Sequence, residues 1–128
     1  MNYSIKIDGS ELTGTSVTSV ELITELAEDD EGYTQTFHVG LKIRGNIVSE
    51  GSLSGNLFTW STIASDDPQA YKTVEVACIH QGKSYRNYKL PKAFVVDYAE
   101  EHDESGEPTY YLFVKQKRSH TETVSVWK

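Results

Sequence analysis

Apolar and polar residues alternate through most of this chain, the period-two signature of strands that bury one face. Tyr3 to Ile7 alternates and runs into the turn pair Asp8-Gly9. From Ser16 to Leu26, Val20, Leu22 and Leu26 fall on one side and Glu21, Ile23 and Glu25 on the other. Tyr33 to Ile43 is the cleanest run. It sets Tyr33, Phe37, Val39, Leu41 and Ile43 on a face expected to be core, and Thr34, Thr36, His38, Lys42 and Arg44 on a face expected to be wet or at an interface. Further strands are predicted over Tyr71 to His80, over Ser84 to Lys89 after a Gln81-Gly82 turn, and over Glu122 to Trp127.

The stretch Leu90 to Lys117 reads as an antiparallel hairpin, two alternating strands joined by the acidic turn Glu100 to Glu107. Strict alternation groups Phe94, Val96 and Tyr98 against Val95, Asp97 and Ala99 in its first strand. In the second it groups Tyr110, Leu112 and Val114 against Tyr111, Phe113 and Lys115. Both faces are largely apolar. A strand pair wetted on one side needs only one apolar face, so this hairpin is expected to be covered on both, in part by another subunit.

The period changes once. Leu57, Trp60, Ile63 and Ala64 stand at helical spacing within Ser54 to Ala64, with Ser52, Ser54 and Asn56 as N-cap candidates and Asp66-Asp67-Pro68 as the stop. The predicted fold is therefore mainly β, an antiparallel barrel or sandwich of about eight strands with one short flanking α-helix.

At 128 residues the chain fits a single domain, residues 1–128, large enough to bury a core without metals or disulfides. Its one cysteine, Cys78, follows Val74 and Val76 in an alternating run, which makes it a packed core thiol. No basic segment followed by an apolar run opens the sequence, and no stretch is long enough to span a bilayer, so a soluble protein made in the cytoplasm is expected, without membrane insertion. The net charge of -7 argues against a nucleic-acid binder, which needs clustered Lys and Arg.

Chemistry is sparse. His38, His80, His102 and His120 stand at no ligand spacing. The acidic runs Glu28 to Glu31 and Glu100 to Glu107 lack the spacing of a calcium loop and suit solvated turns. There is no Gly-x-Ser-x-Gly elbow and no glycine-rich phosphate loop, and the carboxylates cluster in turns without the apolar enclosure a general acid needs. No catalytic, cofactor or metal site is expected, and the protein is read as a non-enzyme. Tyrosine is abundant, with eight copies. Strands favour it, and so do subunit interfaces, which use its apolar body and hydrogen-bonding tip. For Tyr98, Tyr110 and Tyr111 both alternatives stand.

The order of elements, together with Leu57-Phe58-Thr59-Trp60 and the run Lys92-Ala93-Phe94-Val95-Val96-Asp97-Tyr98 followed by Gly106 to Lys117, resembles the Hcp (TssD) tube protein of type VI secretion and the related phage tail tube proteins. The likeness covers most of the chain in element order and the part from about Leu53 onward in residue pattern; the N-terminal third departs from it in detail. It implies a structural subunit of a contractile injection machine, a homo-hexameric ring that stacks into a hollow tube and is exported. Sheath, baseplate, spike and effector proteins are the implied partners. On this resemblance Tyr98, Tyr110, Tyr111 and Phe113 are expected at a subunit interface, with the loop Glu28, Asp29, Asp30 and Glu31 reaching toward a neighbouring ring. The polar face of Thr34, Thr36, His38, Lys42 and Arg44 is the expected lumen lining. Two other readings compete: a monomeric β-sandwich binding module, and a baseplate or spike-hub component with the same fold.

Overall fold

A computed structural model of the chain describes residues 2–13, 16–28, 35–47, 52–117 and 124–128. Its strands are β1 (Asn2–Ile7), β2 (Ser10–Thr13), β3 (Ser19–Glu28), β4 (Gln35–Asn46), β5 (Lys72–His80), β6 (Lys83–Glu101), β7 (Thr109–Gln116) and β8 (Ser125–Trp127). One helix, α1 (Ser52–Ser61), lies between β4 and β5 in the chain, and a 3-10 turn, Pro68–Ala70, leads into β5. The strands form one sheet in the order β2-β1-β5-β6-β7-β4-β3, with β8 also on β6, and every pairing is antiparallel. The predicted mainly β fold with one short helix is what the structure shows.

Individual elements differ from their expected limits. The strand Ser10–Thr13 has no counterpart among the expected ones; its four residues are too few for alternation to register. It is recruited by the Asp8-Gly9 turn, where both residues take positive φ, 49° and 86°. In the other direction, Ser84 to Lys89 and the first arm of the hairpin are a single 19-residue strand, β6. The helix spans Ser52 to Ser61, so Ser54 and Asn56 lie inside it and do not cap it, and Ile63 lies beyond its end. It stops well before Pro68. Ser61 and Thr62 hydroxyls donate back to the carbonyls of Phe58 and Thr59, offering the last turn an alternative to helical continuation.

β6 organises the molecule. Its first part, Lys83 to Ala93, pairs with β5, and its second, Ala93 to Glu101, pairs with β7; Ala93 is the residue matched to both β5 and β7. Pro91 sits at this switch, where β5 shifts register between Lys72 and Val74, so the missing N–H of proline falls at an irregularity in the ladder. Thr73 Oγ1 donates to the Pro91 carbonyl (3.0 Å), and Lys92 N donates to the side chain of the buried Gln116 (3.0 Å). A strand passing from one half-sheet to another in this way folds the sheet over its own core. Ile5 and Ile7 of β1, Leu41 and Ile43 of β4, Val74 and Val76 of β5, Leu90 of β6 and Leu112 and Val114 of β7 belong to one buried cluster. Leu57 and Trp60 of α1 complete it, and the Trp60 indole donates to the Ala70 carbonyl at 2.7 Å. Cys78 is a buried free thiol on this core, and burial raises its pKa.

Candidate assembly surface

The half-sheet β6-β7-β4-β3 has one face in the core. The other face follows from register, because residues directly paired across antiparallel strands project to the same side. Ser19, Glu21, Ile23 and Glu25 of β3 stand opposite Arg44, Lys42, Gly40 and His38 of β4. Gly40, Lys42 and Arg44 in turn meet Lys115, Phe113 and Tyr111 of β7, and Phe113 and Tyr111 meet Asp97 and Ala99 of β6. This polar face therefore reads, from edge to edge, as a carboxylate column, a cation column, an aromatic column and a second carboxylate column.

Cations cover the aromatic column. The Arg44 guanidinium lies 4.5 Å from the Tyr111 ring centre, and the ammonium groups of Lys42 and Lys115 lie 5.3 and 5.5 Å from that of Phe113. Gly40 makes room for this arrangement: a Cβ there would stand 2.8 Å from the Phe113 ring and 3.3 Å from the Lys115 side chain. Lys115 also reaches Glu25 at 3.9 Å, across the strand that Gly40 belongs to.

Part of the expected lumen set thus lies beside part of the expected interface set. Lys42 and Arg44 share their face with Tyr111 and Phe113, and His38 belongs to it by register. Thr36 pairs with Ala27, and Glu28 with Gln35, at the far end of the β3–β4 ladder; Asp29, Asp30, Glu31 and Thr34 lie outside the described residues. Tyr110 takes the core alternative. It is 3% exposed, lies over Gly45 and donates to the Ser16 carbonyl at 2.6 Å, and its burial pushes the phenol pKa up. That side chain is spent within the chain and is not offered to a neighbour.

Tyr98 departs from strict alternation. A β-bulge between Val95 and Asp97 leaves Val96 as the extra residue, so Val95 and Tyr98, not Val96 and Tyr98, pack toward the core, while Val96 is 45% exposed. Tyr98 donates to Glu100 at 2.7 Å, and His102 Nε2 lies 3.1 Å from the other oxygen of that carboxylate. Those two hydrogen bonds, Tyr98's first, hold the Glu100 carboxyl below its ordinary pKa. Within the acidic turn, the Ser105 N–H donates to Asp103 at 2.9 Å, a local hydrogen bond that orders the tip.

Two edges of this half-sheet are open. β3 has no strand partner on the side away from β4 among the described residues, and β6 has none beyond Ala93 on the side that β5 occupied. Glu21, Glu25, Asp97, Glu101 and Lys115 complete the surface but were not singled out by composition or motif. Their strand parity is legible in the sequence, whereas the neighbour order that gathers them is not. Among the described residues no group of three or more His, Cys, Asp or Glu could hold a metal ion, and no helix is long and apolar enough to cross a membrane.

No protein-family model matches the chain, and no curated protein sequence matches it. Solved structures do. Hcp1 from Flavobacterium johnsoniae aligns with a TM-score of 0.62 at 18% identity, over 91% of this chain and 90% of that one. A type six secretion system protein aligns at 0.65 and 15% identity, over 91% and 79%. The tail of an empty GTA particle, refined with C6 symmetry, aligns at 0.61 and 12% identity, over 98% and 95%. These likenesses define the class as an antiparallel β-fold with a flanking helix built on one folded-over sheet. Within that class, this chain has the Hcp-like tube-protein fold.

Proposed function

We propose that this protein is a structural subunit of a contractile injection machine, and that copies join edge to edge into hexameric rings that stack into a hollow tube. The observation that carries this is the pairing polarity of the open edges. β6, β7, β4 and β3 alternate in direction, so copies repeated around an axis along the strands bring β3 of one antiparallel to β6 of the next. The other open edge, β2, would meet β3 in parallel, and it is four residues long against ten. Strand edges left unpaired are a liability that closure into a ring removes. The hexameric number is supported by the sixfold tail among the similar structures.

In such a ring the core-side face is already covered by the rest of the subunit, and the polar face with Lys42 and Arg44 turns to the lumen. Other copies of the chain are the first partners, and sheath, baseplate, spike and effector proteins follow from the same reading, with synthesis in the cytoplasm before export. Light scattering coupled to size exclusion, followed by electron microscopy, tests it: rings with a central pore are expected, and a strict monomer at high concentration opposes the proposal. A single Lys42→Cys label gives the orientation. It is expected to be shielded from a bulky maleimide in stacked tubes and open in dissociated protein; equal labelling in both would place this face outside. Buried Cys78 contributes little background.

A further inference from the structure

The polar face ends in carboxylates on both sides. Glu21 and Glu25 stand on β3, the open edge, and both are exposed; Asp97 and Glu101 stand at the other open edge, on β6, and are exposed as well. The cations occupy the two inner strands, where Lys42 and Lys115 lie over Phe113 and Arg44 lies over Tyr111. Among the described residues, only Glu25 of these four carboxylates has a cation within ion-pair distance, the Lys115 ammonium at 3.9 Å.

We infer that each seam between copies brings two carboxylate columns together, so that ring closure is gated by ionic screening and is driven by rising salt. This rests on the edge-to-edge assembly proposed above. Paired strands lie about 4.8 Å apart, which sets side chains on one face within about 5 Å of each other across the seam, where like charges oppose pairing. At such exposed positions the repulsion is sensitive to screening: the Debye length falls from about 10 Å at 0.1 M to roughly 3 Å at 1 M. The sign is diagnostic, because a seam held by opposite charges weakens as salt rises. The partner is thus a second copy whose approach is opposed by its own edge until counter-ions intervene.

The test compares wild type with Asp97→Lys, each checked for fold by circular dichroism, in sedimentation velocity at low and high NaCl. Wild type is expected to need roughly threefold less protein, or lower still, to assemble at ~0.5 M than at ~0.05 M salt. Asp97→Lys, which sets a cation against Glu21 and Glu25 of the next copy, is expected to assemble readily at low salt and to gain nothing from more. Should the lysine disturb folding, Glu21→Gln on the other side of the seam is expected to ease low-salt assembly in the same direction. Wild-type assembly that is indifferent to salt or weakened by it overturns the inference while leaving edge-to-edge assembly standing. So does a variant that follows the wild-type rise, which marks general salting-out. Absence of rings at every salt concentration in all proteins removes the assembly reading itself.

Discussion

Two glycines show how closely single residues are fitted. A Cβ on Gly45 would collide with the Ser16 carbonyl, a backbone group, and stand 2.8 Å from the Tyr110 ring. A Cβ on Gly40 meets the Phe113 ring, which can shift, although the Val114 carbonyl is also near at 3.0 Å. Both alanine variants are expected to lose stability in the range of ~1–3 kcal/mol typical of overpacking, with Gly45→Ala the costlier, as read from urea midpoints. The reverse order would show that the segment around Ser16 yields more easily than the ring. Glu100 gives a pH prediction. Its folded pKa is lowered by hydrogen bonds from Tyr98 and His102, so the stability it contributes is present above the ordinary carboxylate value and is lost as pH falls through the lowered one. Glu100→Gln should flatten the acid limb of a stability–pH curve, and an unchanged limb would show that the carboxylate is not held in solution.

Among the elements, β6 carries the most consequence. Its parity breaks at the switch between Leu90 and Ala93, both of which face the core, and fails again after Val95, because a bulge adds a residue that leaves no mark on composition. Deleting Val96 would restore regular alternation, keeping Ala93, Val95 and Tyr98 inward and Asp97 outward. The deletion is therefore expected to melt close to wild type but to form rings poorly, since the bulge sets the local twist of the open edge. A collapsed melting temperature would instead make the bulge a requirement of the core. Elsewhere the same strand shows why eight strands are expected and eight are found among the described residues with different limits. One long strand replaces two, and the short β2 restores the number. Helix α1 was legible because Leu57 and Trp60 share a face; its ends were not, since hydroxyls and not a strong breaker close it.

For the molecule as a whole, the four-strand half-sheet sets a dimension. In the proposed hexameric ring, six copies would contribute about 24 strands; at a spacing of ~4.8 Å and the ~35–45° tilt of closed barrels, they would enclose roughly 45–50 Å between backbones. Ring images with a backbone diameter far from this would mean another number of copies or another edge pairing. The net charge of -7 per chain has its place at this scale too: repeated around the proposed ring, it would make the distribution of carboxylates at each seam matter more than any one ion pair.

Alternation by itself determined which residues of a regular strand share a face, because side chains in a strand project to opposite sides whatever the neighbour is, but it misgrouped Val96 and Tyr98 across the bulge of β6. It likewise determined that Leu57 and Trp60 bury together and that the chain is mainly β. Tertiary structure alone decided which strands lie side by side, since a strand's partner is chosen by packing over the whole core and not by its own sequence. That choice joined Lys42 and Arg44 to Tyr111 and Phe113, drew Tyr110 inward over Gly45, divided β6 between β5 and β7 at Ala93 and left β3 and β6 as the open edges on which the proposed assembly turns.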